Sequence, residues 1–430
     1  MKGRLLLTVF IFIVTIVNAQ NEYDLHGKGA RAAGMAYAFN AIADDATGIS
    51  WNPAGITQLK KPEIAFVNKL TLTDYKHPLW YNRSYQPVYT IDYMGFVYPL
   101  KLKKKDLVFG VSFQNNVNYK SVFSNTKSIL SYYNAKNNLT INSISLCGAY
   151  SFTRFLAFGI SVNKWFSLGN KSDHYTYYNT KEIDSAKYEY DENVIESNEN
   201  FKYTGYNFSS GIMLDFASYG FPLRFALKYE SKFVLKNNYD VTYRSDYIYE
   251  NNITVSYLEV YKGTERNYIP GIVATGLSYR IGDYFTIACD FDIRHFKNSV
   301  FTWDYSYYNN FQDPPIDTVY NEVYFLLKSN ENLNQFRIGL EYILHPKFAL
   351  IPVRAGWKNN PTSISNYDEN HEPFEQVFAH SLNFGLGLIT KYYSLDLAYE
   401  RYKCDRMDAD FNNEKKNYYF FVLSANIFLR

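Results

Sequence analysis

From Glu63 onward the chain repeats one unit, a run of alternating apolar and polar residues followed by a break, and the breaks themselves alternate between short and long. Period-two alternation places successive side chains on opposite faces of a sheet. Phe285, Ile287, Cys289, Phe291 and Ile293 share one face, with Thr286, Ala288, Asp290, Asp292 and Arg294 on the other. Leu223 to Lys236 sets Phe225, Leu227, Tyr229 and Phe233 against Arg224, Lys228, Glu230 and Lys232. Fourteen strands can be counted, beginning near Glu63, Val88, Leu107, Asn138, Phe155, Tyr203, Pro222, Ile269, Tyr284, Leu333, Phe348, Val377, Tyr393 and Lys416. Short turns such as Thr153-Arg154, Gly282-Asp283 and Lys391-Tyr392 alternate with long connections such as Asn170 to Lys202 and Ser299 to Asn332. A soluble sandwich has no reason to sort its connections this way. A transmembrane barrel has short periplasmic turns and long outer loops. The expectation is an all-β fold: a fourteen-stranded antiparallel transmembrane β-barrel over residues 63–430. The segments Asp240 to Tyr249 and Ile253 to Tyr261 read as a hairpin extending outward; if they cross the bilayer, the count is sixteen.

Charge and cysteine content remove other classes. Forty-four basic against 42 acidic residues leave no basic footprint for nucleic acid. Beyond the first twenty residues no apolar run approaches the roughly 18 needed for a membrane helix. Cys147, Cys289 and Cys404 are too few and too scattered for a disulfide scaffold or a clustered zinc site. At the other end, Lys2 and Arg4 precede an apolar stretch from Leu5 to Val17, and Val17-Asn18-Ala19 offers a cleavage site. Residues 1–19 are therefore read as an export signal. No cysteine follows the site to carry a lipid anchor.

Residues 20–62 differ from the rest: small residues, few charges, no alternation. Ala30 to Phe39 suits a short, closely packed helix. Asn52 followed by Pro53 is a helix start, with Asn as cap and Pro at the first helical position. Such a piece can sit outside a barrel or fill it; an empty barrel this wide would leak small solutes, which favours filling. Gly29-x-Arg31, Ala41-Ile42-Ala43-Asp44-Asp45-Ala46, Asn52-Pro53-Ala54 and Ile56-Thr57 together resemble the amino-terminal hatch of the FadL-type long-chain fatty-acid transporters, TodX relatives included. The resemblance implies a hatch over residues 20–62 that plugs a fourteen-stranded outer-membrane barrel of a Gram-negative-type bacterium. It also implies passive uptake of fatty acids or other hydrophobic compounds, and sideways exit through the wall at a kinked strand. The motif stretch also looks like the PorV-type barrels of a protein-secretion system, which leaves a secretion-associated or structural barrel as the alternative. One departure is the carboxyl terminus, where Phe428 is followed by Leu429-Arg430 instead of ending the chain.

Candidate site residues follow. Asn52, Pro53, Ala54, Asp44 and Asp45 form the hatch motif; the two aspartates either tie it to wall arginines or cap a helix. The third strand loses its pattern at Gln114-Asn115-Asn116, because Asn115 falls on the outward face after Phe109, Val111 and Phe113. That marks a kink or the arrival of the strand at the headgroups. Inward bases could hold a ligand carboxylate: Arg354, on an otherwise apolar strand, first, then Arg337 and Arg224; the competing reading pairs each with a lumen-wall acid. No nucleophile elbow, zinc-protease motif or phosphate loop occurs. His380 and Ser381 are adjacent on a strand and face opposite ways. The acidic stretch Glu189, Asp191, Glu192, Glu196 and Glu199 reads as a solvated loop. No catalytic residue, metal or cofactor is expected. The partners expected are outer-membrane lipid and lipopolysaccharide, a hydrophobic ligand and the barrel-assembly machinery, with the chain a monomer.

Overall fold

The computed structural model describes residues 27–429 except 77–83, 103–104, 129–130, 179–191, 249–253, 296–299, 311–315, 327–331, 348, 368–372 and 408–412. The export signal, and Glu189 and Asp191 of the acidic stretch, lie outside the described residues.

Fourteen strands close into one antiparallel barrel. In pairing order they run through Glu63–Lys76, Val88–Leu102, Lys105–Asn118, Thr140–Ser151, Leu156–Leu168, Glu192–Asp215 and Leu223–Glu230. The wall continues with Ile272–Ile281, Phe285–Arg294, Leu333–Leu344, Ile351–Tyr367, Pro373–Ile389, Tyr393–Met407 and Asn413–Phe428. Closure comes from the last strand pairing with the first, Glu63 opposite Phe428. Its polarity is inverted relative to a soluble protein. Phe109, Val111, Ile160, Val162, Leu277, Leu382, Leu397 and Leu423 are exposed on the outer face. Ser112, Ser161, Asn163, Arg337, Glu341, Asp396 and Ser424, one pleat away, are buried inside. An apolar belt of this extent is stable only against lipid, and many of the buried polar groups of the lumen bond to one another, as Asn115 to Asn142 and Asn360 to Ser381.

Two expectations need correction. The long connections are not simply loops. Lys171–Tyr178 pairs with the beginning of Glu192–Asp215, Phe233–Ile248 with Thr254–Ile269, and Val300–Asn309 with Ile316–Leu326, all continuing barrel strands outward. The hairpin around residues 240–261 belongs to this extension, so the count stays at fourteen. Sequence patterning hides the extension because both faces are polar there: Lys236 and Asn238 face out while Asn237 faces in beside Tyr239. The second correction concerns Leu223 to Lys236, which is not one strand. At Ser231-Lys232 the pleat changes phase, so Leu227 and Tyr229 face out while Phe233 faces in, its ring 5.0 Å from that of Trp165. Pro270-Gly271 makes the matching break on the partner strand, since Ile269 and Ile272 are both buried three residues apart.

Residues 27–61 precede the wall and are almost wholly buried. They hold two short helices, Ala30–Gly34 and Gly48–Trp51, and a 3-10 turn at Pro53–Gln58. The first helix stops well short of Phe39, because Ala36 and Tyr37 take left-handed backbone, φ 50° and 65°. This inner segment bonds to strands all round the barrel. Lys28 Nζ reaches Asp92, and the backbone N–H groups of Phe39 and Asn40 both donate to Asp290 Oδ2. Asn383 Nδ2 donates to Ala33 O, Ser278 Oγ to Ala41 O, and Ala30 N to Ser424 Oγ.

Candidate functional site

The Asn52-Pro53-Ala54 stretch sits against a window of glycine. Asn52 Oδ1 accepts from Ala54 N at 3.0 Å, capping the 3-10 turn with Pro53 at its first position. The amide's other end, Nδ2, donates to the wall carbonyl of Ile212 at 3.1 Å. The wall there is Gly211 paired with Gly159 across two strands. A Cβ on Gly211 would strike Asn52 Oδ1, and one on Gly159 would lie 2.5 Å from Ala54 N. The pair Gly339 and Gly356 does the same for Met35, whose carbonyl carbon would lie 2.6 Å from a Cβ on Gly356. Glycine in a strand marks close approach of another backbone. These four residues, paired across two places in the wall, were missed by the sequence reading; glycine at inward positions of strands was the available signal.

Each of the three candidate arginines is paired with a carboxylate. Arg354 is fully buried: its Nε donates to Glu341 at 2.7 Å and its Nη1 to Asp396 at 2.6 Å. It lies beneath Gly34 of the first helix, and its Nη2 is buried with no hydrogen-bond partner. Arg337 is bound to Asp292 and lies 3.7 Å from Asp290, and Arg224 pairs with Asp215 at 2.9 Å beside a turn. The link between segment and wall runs the other way from the one expected. Arg31, from the segment, makes a two-pronged bond to Glu341 on the wall, both at 3.0 Å, and Asp44 neutralises Arg31 locally at 2.6 Å. Asp45 closes the turn ahead of the second helix, accepting from Thr47 N at 2.9 Å, and the N-cap of that helix, Thr47, carries no side-chain cap bond.

Burial pushes the Asp45 carboxyl up from 3.8 to about 6, against the lowering by Arg31 and by the Thr47 bonds. The folded state therefore keeps its proton longer than the unfolded chain. The resulting stabilisation is full below about pH 4 and lost as pH rises through 6, at most about 3 kcal/mol. Asp45→Asn keeps the acceptor oxygen and removes the charge. The protection factors of the Ala46 to Gly48 amides, exchange rates normalised to the unfolded chain at each pH, should rise at pH 7.5 in this variant and lose their dependence on pH between 4 and 7. A profile identical to wild type would mean that Asp45 is already neutralised in the folded protein.

Above the inner segment the lumen holds two layers. The lower is a cavity lined by Ser50 of the segment and by Gln114, Asn116, Asn163, Asn207 and Glu230 of the wall. The upper is an apolar cluster in which Val117, Ile141, Trp165, Leu235, Ile269 and Leu333 meet from six strands. Trp165 belongs to both, its Nε1 donating to Asn207 Oδ1 at 2.9 Å. The third wall strand changes register between Asn115 and Val117, and its ladder to the preceding strand ends at Gln114 opposite Tyr93. Asn115 does not reach headgroups: it is buried and donates to Asn142 Oδ1 at 2.9 Å. The register shift turns Asn116 into the cavity and Val117 into the cluster. Elsewhere, His380 stacks on the exposed face of Trp357 while Ser381 accepts from Asn360 inside, so the two do not act together. Among the described residues no group of His, Cys, Asp and Glu forms a metal site.

The family model described as outer membrane protein transport protein (OMPP1/FadL/TodX) matches residues 11–419 of the chain. Among solved structures, the Ralstonia pickettii toluene transporter TbuX superposes with a TM-score of 0.60 at 13% identity, over 95% of this chain and 100% of that one. A Pseudomonas aeruginosa FadL homologue gives 0.62 at 12% identity, over 94% and 99%. The P. putida toluene transporter TodX gives 0.59 at 12% identity, over 95% and 100%. No curated protein matches the sequence.

Proposed function

The chain belongs to the OMPP1/FadL/TodX family of outer-membrane transport proteins, and from that premise we propose that it passes hydrophobic compounds inward without an energy source, by way of the apolar cluster. The family places the barrel in the outer membrane of a Gram-negative bacterium. The cluster carries the proposal: six inward apolar side chains converge next to a cavity lined mainly by amides and hydroxyls. Nothing in barrel construction requires them, since lumen faces are ordinarily polar. A hydrophobic compound leaving water for this cluster, and then for the bilayer, moves downhill at each step.

On this reading residues 27–61 are the hatch, held in place by Asn52-Pro53-Ala54 against the glycine window. The exit is sideways, where the strand ladder ends at Tyr93 and Gln114. The similar structures that are toluene transporters make small aromatic hydrocarbons the first compounds to try. Leu235→Asn places an amide in the cluster and should slow uptake of a hydrophobic fluorescent probe into proteoliposomes about tenfold, equivalent to roughly 1.4 kcal/mol. Uptake equal to wild type would leave the cluster as packing only and turn the reading toward a secretion-associated barrel.

A further inference from the structure

The lower cavity bears on what such a compound must carry, an inference that rests on the transport reading above. Its volume is ≈ 20 Å³, room for about one water-sized group, so it takes the end of a ligand and not the whole. Its lining is chemically one-sided. Gln114, Asn116, Asn163 and Asn207 are amides and Ser50 is a hydroxyl. Asn163 Nδ2 donates to Asn207 Oδ1 at 2.9 Å, but Asn116 Nδ2 is buried with no hydrogen-bond partner. A buried donor of this kind lacks an acceptor that something must supply.

The electrostatics choose the acceptor. Glu230 is the only charged residue lining the cavity. The ammonium beside it, Lys228, is held by Glu230 Oε1 at 2.6 Å and by the Ser50 carbonyl at 3.0 Å. A carboxylate entering here would face a carboxylate whose neighbouring ammonium is already held. A hydrocarbon would cover the Asn116 amide without bonding it. A neutral hydroxyl can accept from Asn116 and donate to Glu230. Immediately above, Trp165 leads into Leu235, Ile141 and Val117, which would take an alkyl or aryl body.

We propose that the cavity binds the uncharged hydroxyl end of an amphiphilic ligand and excludes carboxylates, so that the barrel selects long-chain or aromatic alcohols over the matching acids. The test uses the purified full-length barrel at pH 8 and three radiolabelled ligands of one chain length: decanol, decanoate and decane. Wild type should bind decanol at least tenfold more tightly than decanoate. Asn116→Leu should reduce decanol to the affinity of decane. Glu230→Gln, which removes the repelling charge and releases Lys228, should raise decanoate affinity at least fivefold and leave decane unchanged. Decanoate binding as tightly as decanol in wild type would overturn the proposal, as would a decanol preference that survives both substitutions. Decane binding without any preference would remove the proposal and leave the transport reading intact; failure of all three ligands to bind would remove both.

Discussion

Glu341→Gln should be among the most damaging single changes in the lumen, loosening the inner segment by about 3–5 kcal/mol. Glu341 is buried between two guanidinium groups, Arg31 of the segment and Arg354 of the adjacent strand. Neutralising it leaves Arg354 with Asp396 alone and Arg31 with Asp44 alone. The segment loses its two-pronged tie to the wall. Arg31→Met is the informative comparison, because it removes the tie but leaves Glu341 matched by Arg354. Limited proteolysis within residues 28–38 and the temperature at which the barrel loses its compact electrophoretic mobility separate the two. Glu341→Gln should lower both resistances; Arg31→Met should lower the first much more than the second. Equal loss of barrel stability in both variants would mean that Arg31 is part of wall assembly and not a tether.

Gly211→Leu should open the barrel to small solutes. The new side chain has nowhere to go: its Cβ alone would meet Asn52 Oδ1, with Pro53 Cδ at 3.2 Å, and the facing residue on the next strand is Gly159. Overpacking of this kind costs about 1–3 kcal/mol. It also displaces the Asn52 cap, itself worth about 1–2 kcal/mol. Replacing Asn52 and Pro53 together with Ala removes the cap without the clash and should give a smaller leak. Conductance in planar bilayers reads the difference, with folded barrel quantified in parallel. If Gly211→Leu conducts no more than wild type while fully assembled, the glycine pair is not a seat for the segment.

The barrel was legible because its alternation survives wherever one face meets lipid: Phe285 to Arg294 reads directly from the sequence and pairs as expected. Where both faces carry polar residues, as at Lys236, Asn237 and Asn238, the strand continues but the alternation of apolar with polar residues does not. The phase change at Ser231-Lys232 was invisible for a different reason. A one-residue irregularity leaves composition untouched and reverses every side chain beyond it. Arg354 shows what strand identity alone omits. The residues before it, Leu350 to Val353, are apolar, and the acids that neutralise it come from neighbours, Glu341 directly opposite and Asp396 two strands away. The Asn52 cap, by contrast, is local chemistry and could be read from two adjacent residues.

The inverted polarity of the wall also bears on how such a chain leaves the cytoplasm. Each lipid-facing residue is separated from the next by one that will face the lumen, as in Tyr393, Leu395 and Leu397 alternating with Ser394, Asp396 and Ala398. Along the chain the apolar side chains are therefore diluted by half, and mean hydropathy is −0.32 although the folded barrel is covered in hydrocarbon. An export channel that releases long apolar helices sideways finds no segment to release. The hydrophobic surface comes into being only when strands pair, after the inner membrane has been passed.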